Sequence, residues 1–197
     1  MSHKPRILAV AGSLRSASVN HLFLRAMQLI KPENIDFRIY SELGRLPLFN
    51  ADNDEQAGEE VSRWRKALAE ADMLLLVSPE YAHGVSGVMK NALDWIVGSG
   101  ELMEKRLAFP NLSVRATLAQ AQLTEMLHIL GCRLIEDCSP RATTEHPLML
   151  PAMDEQSLLA DKRTGPELRK LWLHLEQALL VDPENLQSNT AGRHLWG

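Results

Sequence analysis

Met73-Leu74-Leu75-Leu76-Val77 is an unbroken apolar run that stops at Ser78-Pro79. A strand with one face in water alternates apolar and polar side chains. A run without alternation has to be covered on both faces. That requirement confines the chain to a sheet with helices packed above and below, its parallel strands joined by right-handed crossovers. Ile7–Ala11 is a second run of the same kind.

Segments of helical period lie between such runs. Val19, Leu22, Phe23, Ala26, Met27 and Ile30 share one helical face, which stops near Pro32. Asp36–Tyr40 reads as the second strand, Leu46 through Gln56 as a loop, and Val61, Trp64, Leu68 and Ala71 as the next helical stripe. After the Met73–Val77 strand, Gly84–Val97 reads as a helix closed by Gly98-Ser99-Gly100. Leu107–Ser113 reads as a strand interrupted by Pro110, and Leu118 to Leu130 as a helix ended by Gly131. Arg133–Glu136 is a short last strand, and Leu168, Leu171, Trp172, Leu175 and Leu179 mark a final helix. The alternation predicts an α/β fold: a flavodoxin-like three-layer sandwich with a five-stranded parallel sheet in 2-1-3-4-5 order. One domain over residues 1–197 is expected, with a C-terminal tail from about residue 184.

Charge and composition remove several functions. The net charge of -4, with no Lys/Arg block, gives no electrostatic basis for binding nucleic acid or an anionic membrane. No apolar run approaches the ~20 residues of a membrane helix, and the N-terminus lacks an export h-region, so a cytoplasmic protein is expected. Cys132 and Cys138 lie six apart, which is not CxxC spacing, and none of the seven histidines forms HExxH. No metal site is expected.

In an open α/β sheet, ligands bind beyond the carboxyl ends of the strands, near the point where strand order reverses. Here that means the loops after the first and third strands. The first is Gly12-Ser13-Leu14-Arg15-Ser16-Ala17-Ser18-Val19-Asn20. Its serines offer hydroxyls, and Arg15 offers a charged fork suited to phosphate oxygens. Ser18 or Asn20 opens the helix, so free N–H groups and the positive dipole end converge there. The lysine of GxxxxGK[ST] and the glycines of GxGxxG are both absent. Two readings stand on the residues alone: a site for one terminal phosphate, or a serine-rich N-cap turn with a solvated arginine. The second loop, Ser78 to Gly84, reads either as a bare platform for a flat ring or as a tight strand–helix connection.

Taken together, Gly12-Ser13-Leu14-Arg15 with Ser18 and Asn20, Leu46-Pro47-Leu48-Phe49-Asn50, Ser78-Pro79-Glu80-Tyr81 and Lys90-Asn91-Ala92-Leu93-Asp94-Trp95 resemble the NADPH-dependent FMN reductase family, which includes quinone, chromate and azo-compound reductases. The resemblance runs from about residue 5 to 135. It implies FMN and NADPH as cofactors, and a homodimer or homotetramer with the flavin near the interface. Ser13, Arg15, Ser18, Val19 and Asn20 would hold the FMN phosphate. Pro79, Glu80, Tyr81, Ala82, His83, Gly84 and Ser113 would lie along the ring. Lys90, Asn91 and Asp94 would be structural. The chain departs from the family in having Ala82 where Asn is usual, and in the bulky Asn111-Leu112-Ser113-Val114-Arg115 loop.

The implied activity is ping-pong electron transfer: NADPH gives hydride to flavin N5, and a small acceptor such as a quinone, chromate, azo compound or free flavin then takes the electrons. No side chain need act as nucleophile or base. Glu80 is expected to be a structural carboxylate rather than a proton donor. Competing expectations are a flavodoxin-type electron carrier and a flavin-less binding or regulatory relative.

Overall fold

A computed structural model of the chain describes residues 4–142 and 154–181. In chain order the elements are β1 (Arg6–Ala11), α1 (Val19–Leu29), β2 (Asp36–Tyr40), α2 (Gly58–Ala69), β3 (Met73–Val77), β4 (Glu80–Tyr81), β5 (Gly84–Val85), α3 (Gly87–Asp94), β6 (Arg106–Ala108), α4 (Thr117–Ile129), β7 (Arg133–Leu134), α5 (Glu155–Ala160) and α6 (Thr164–Leu180). The main sheet runs β2-β1-β3-β6-β7, with every pair parallel. Counting only its own strands, this is the expected 2-1-3-4-5 flavodoxin-like order. Order reverses at β1 and β3, whose register sets Ile7 beside Met73 and Ala11 beside Val77.

The apolar runs are buried on both faces, as their lack of alternation requires. Ile7, Ala9, Ala11, Met73, Leu75 and Val77 belong to one core with Phe23 and Met27 of α1 and Trp172 and Leu175 of α6. Leu8, Val10, Leu74 and Leu76 belong to the opposite core with Trp64 of α2, Met89 of α3 and Leu123 of α4. The buried indoles of Trp172 and Trp64 are satisfied: Trp172 Nε1 donates to Met27 O and Trp64 Nε1 to Ala92 O, each at 2.9 Å.

Four segments differ from the sequence reading. The helix expected from Gly84 begins at Gly87, with Ser86 as N-cap, and ends at Asp94. Ahead of it, β4 and β5 form an antiparallel hairpin that pairs Glu80 with Val85 and Tyr81 with Gly84. The two residues between them, Ala82 (φ 50°) and His83 (φ 61°), are both left-handed, the signature of a type I′ turn. The fourth sheet strand is only Arg106–Ala108, because Pro110 cannot donate to a ladder. Phe109 N instead donates to Ser139 Oγ at 2.9 Å. The last strand closes at Leu134, and Glu136–Cys138 winds into a 3-10 turn. Helix α5 was not expected; Asp154 caps it by accepting from Ser157 N at 2.7 Å. The expected tail from about residue 184 lies outside the described residues.

Two of the motifs meet in space. Asn91 on α3 accepts from Phe49 N (2.8 Å) and donates to Pro47 O (2.9 Å). Trp95 Nε1 donates to the same Pro47 carbonyl at 2.8 Å, and its ring meets Phe49 edge-on at 5.1 Å. One amide thus closes both ends of the Pro47–Phe49 bend. Lys90 and Asp94 pair across one helical turn.

Candidate functional site

A cleft of about 510 Å³ opens beyond the carboxyl ends of β1, β3 and β6. Its size falls within the range of small-molecule sites. The β1–α1 loop contributes Ser13, Arg15, Ala17, Ser18, Val19 and Asn20; the stretch after β3 contributes Ser78, Pro79, Glu80 and Tyr81; the β6–α4 loop contributes Leu112, Ser113, Arg115 and Ala116. Ser13, Arg15, Ser18, Val19, Asn20, Pro79, Glu80, Tyr81 and Ser113 are thus brought together. Ala82 and His83, the turn of the hairpin, and Gly84, the first residue of β5, are not among the lining residues.

The first loop is built for donors. β1 runs close against β3: Gly12 N donates to Val77 O at 2.8 Å, and a Cβ on Gly12 would lie 2.5 Å from Ser78 Oγ. A larger residue there would have to displace the Ser78 and Met89 side chains. Ser86 Oγ donates to Gly12 O at 2.7 Å, which ties this loop to the start of α3. Ser18 caps α1 by accepting from His21 N (3.2 Å), and Ser13 Oγ accepts from Arg15 N (3.3 Å). Each hydroxyl accepts from the backbone and keeps its own proton to donate. The His21 ring is hydrogen-bonded to Ser13 O at 2.7 Å, which fixes the turn. The N–H groups of Val19 and Asn20, in the first turn of α1, have no partner among the described residues, as expected at a helix start.

On the opposite wall the β6–α4 loop is clamped by Asn111. Its side chain donates to Ala116 O and accepts from Ser113 N, both at 3.0 Å. Ser113 Oγ accepts from Arg115 N at 3.3 Å. Glu80 spans the two walls: its Oε2 accepts from Ala119 N, in the first turn of α4, at 2.9 Å. Ala116, at the N-cap position of α4, has no side chain able to cap it, so Glu80 performs that task from another element. Its other oxygen is 3.4 Å from His83 Nδ1, and Gln122 of α4 accepts from Val85 N.

The cleft holds two arginines and one carboxylate, and that carboxylate is engaged on α4. Neither Arg15 nor Arg115 has a side-chain partner among the described residues. Sequence reasoning weighed Leu112 and Arg115 only as bulk. It did not foresee Ala17, Ser78 or Ala116 as lining residues. The signal for Arg115 was its place after β6, at the carboxyl edge where ligands bind. Cys132 and Cys138 take no part; burial pushes both thiols up to about 12. Among the described residues no group of three His, Cys, Asp or Glu is placed to hold a metal. No described helix is long and apolar enough to cross a membrane.

The model of the NADPH-dependent FMN reductase family matches residues 5–144, which include every strand of the sheet and every residue lining the cleft. The chain belongs to this family. It is 39% identical over 90 residues to a 2-hydroxy-1,4-benzoquinone reductase from Burkholderia sp., a stretch covering 46% of this chain and 49% of that protein. It is 32% identical over 98 residues to a quinone reductase of Escherichia coli K12, covering 49% and 52%. The chain thus spans about half the length of the curated relatives it matches. Over a longer span, covering 88% of this chain and 98% of the other, it superposes on a flavoenzyme NAD(P)H:(acceptor) oxidoreductase from Paracoccus denitrificans at a TM-score of 0.65 and 25% identity.

Proposed function

We propose that the protein is an FMN-dependent NAD(P)H oxidoreductase that reduces a small acceptor such as a quinone. The observation that carries this is the donor set of the β1–α1 loop. Arg15, the hydroxyls of Ser13 and Ser18, and the first-turn N–H groups of Val19 and Asn20 face one cleft without an acidic neighbour of their own. That set fits a terminal phosphate. Beside it Pro79 and Tyr81, facing Leu112 and Ser113 across the cleft, offer a mainly apolar slot for a flat ring. FMN, when bound, supplies the hydride and electron chemistry. The chain's own residues bind the phosphate, orient the ring and leave one side accessible. Glu80 is committed to Ala119 N, so its role in this reading is to hold the slot's two walls together. Quinone reduction by the relatives in Burkholderia and Escherichia coli supports a quinone as acceptor.

The proposal extends to a cytoplasmic homodimer or homotetramer with the flavin near an interface. In support, Leu48 is 87% and Tyr81 55% exposed, both apolar side chains on the loops that carry the family motifs.

Two measurements test the reading. Purified protein reconstituted with FMN should show the visible bands of bound oxidised flavin, and should oxidise NADPH when a quinone is added. Replacing Arg15 with Ala removes a charge-assisted contact of about 1.5–3 kcal/mol, so FMN should bind roughly 10- to 100-fold more weakly with the fold intact. No FMN binding by the unaltered protein would overturn the reading. Unchanged affinity in Arg15→Ala would overturn the phosphate assignment.

A further inference from the structure

The second arginine of the cleft is not explained by the FMN phosphate. Arg6, Arg25, Arg38, Arg45, Arg63, Arg65 and Arg133 each hold a carboxylate. Arg15 and Arg115 hold none among the described residues, and both line the same cleft. Arg106 and Arg169 donate to the backbone carbonyls of Val181 and Leu159, and Arg141, also without a side-chain partner among the described residues, lies outside this cleft. Two unpaired ones in one concave site therefore mark places for anions that the chain itself does not supply.

The two are not placed to share one phosphate. Arg15 leaves the end of β1, while Arg115 leaves the loop after β6, and β3 lies between them in the sheet. Adjacent strands stand 4.7–4.9 Å apart, so the two loops arise about 10 Å from one another. The ring platform of Pro79 and Tyr81 comes from the strand between. Arg115 is therefore across the platform from the hydroxyl-rich phosphate loop. Its backbone is also fixed, because Asn111, only 7% exposed, bonds both Ser113 N and Ala116 O. The nearby carboxylate, Glu80, is occupied by Ala119 N and does not neutralise it.

We propose that Arg115 is a binding and specificity residue for a phosphate group of the nicotinamide dinucleotide, distinct from the FMN phosphate site at Arg15. This rests on the FMN oxidoreductase reading above. A planar guanidinium presents a fork that matches phosphate oxygens, and a dinucleotide carries such groups well beyond its reacting ring. Arg115 would anchor that distal part while the nicotinamide meets the platform.

The test uses full-length protein reconstituted with FMN. Calorimetric titration with NADP+ and with NAD+ measures binding without turnover, and flavin fluorescence measures FMN affinity separately. In Arg115→Ala, NADP+ should bind roughly 10- to 100-fold more weakly, while FMN affinity stays within about threefold. Arg115→Lys, which keeps the charge and loses the fork, should fall between. If NAD+ binding is unchanged, the group read is the 2′-phosphate; if it falls in parallel, the group is the pyrophosphate, and both outcomes support the assignment. Unchanged binding of both nucleotides overturns it, whatever happens to an anionic acceptor. Loss of FMN from Arg115→Ala also overturns it, because Arg115 would then belong to the flavin phosphate site. If the unaltered protein binds no FMN, the parent reading fails first, so the two failures are distinguishable.

Discussion

Glu80 offers a sharp decision between a structural and a chemical role. It lines the cleft, as a proton donor would, yet its side chain is largely covered and accepts from Ala119 N at 2.9 Å. In Glu80→Ala that amide, on a buried residue, is left without its acceptor. A lost charge-assisted bond to a covered donor costs about 2 kcal/mol. For a chain of this size each kcal/mol shifts Tm by roughly 2–4 °C, so the melting temperature should fall by about 4–8 °C. Glu80→Gln keeps an acceptor and loses only the attraction between carboxylate and helix start, about 0.3–1 kcal/mol, or roughly 1–4 °C. Thermal unfolding followed by far-UV circular dichroism at neutral pH gives both numbers. The pH profile of kcat for the FMN-loaded protein is measured beside it, and should keep its shape in Glu80→Gln. A Glu80→Gln variant that melts like the parent and loses one limb of the pH profile would refute the capping argument and make Glu80 a proton donor.

Ala82 at φ 50° carries a steric cost of about 1–2 kcal/mol that glycine avoids, less about 0.4–1 kcal/mol of added chain entropy. Ala82→Gly should therefore raise Tm by up to roughly 6 °C, and a lower Tm would contradict the type I′ assignment. Cys132 and Cys138, with thiols held near 12 by burial, should resist iodoacetamide at pH 8 in the folded protein and react once it is denatured. Asp154 caps α5, Asp161 accepts from Arg163 N and Thr164 N at the start of α6, and these backbone N–H bonds hold both below the usual aspartate range. A depressed folded pKa gives stability that is present above about pH 4 and lost as pH falls through the folded value. The protection factors of the Ser157 and Thr164 amides, taken against the intrinsic exchange rate at each pH, should therefore fall on acidification below about pH 4 and stay level between pH 7 and 9.

The sheet was legible because its central strands are specified by a single physical demand. Met73–Val77 and Ile7–Ala11 have no polar residue to turn toward water, so their burial and parallel neighbours follow. The donor-rich β1–α1 loop was legible for a similar reason, since Gly12, the serines and Arg15 lie within nine residues of one another. The hairpin was not. Type I′ turns are recognised by Asn-Gly or Asp-Gly, and Ala82-His83 carries neither, so Gly84 read as a helix start. Helix α5 spans only Glu155–Ala160, too short for an apolar stripe to register, and its one local sign was Asp154 at the cap. Arg115 and the capping role of Glu80 depend on contacts between residues 39 apart, Glu80 and Ala119, and on strand neighbours that sequence spacing does not reveal.

Asn111 has one more consequence. By bonding Ser113 N and Ala116 O it closes residues 112–115 into a loop whose internal geometry depends on the residue just ahead of it. Val114 and Arg115 project from that closed frame without bracing it, while Leu112 is partly buried against the core. The segment behaves as an exchangeable cassette. Val114 and Arg115 are free to vary, by descent or by design, and to retune what the cleft accepts while Asn111, Leu112 and the sheet beneath stay as they are.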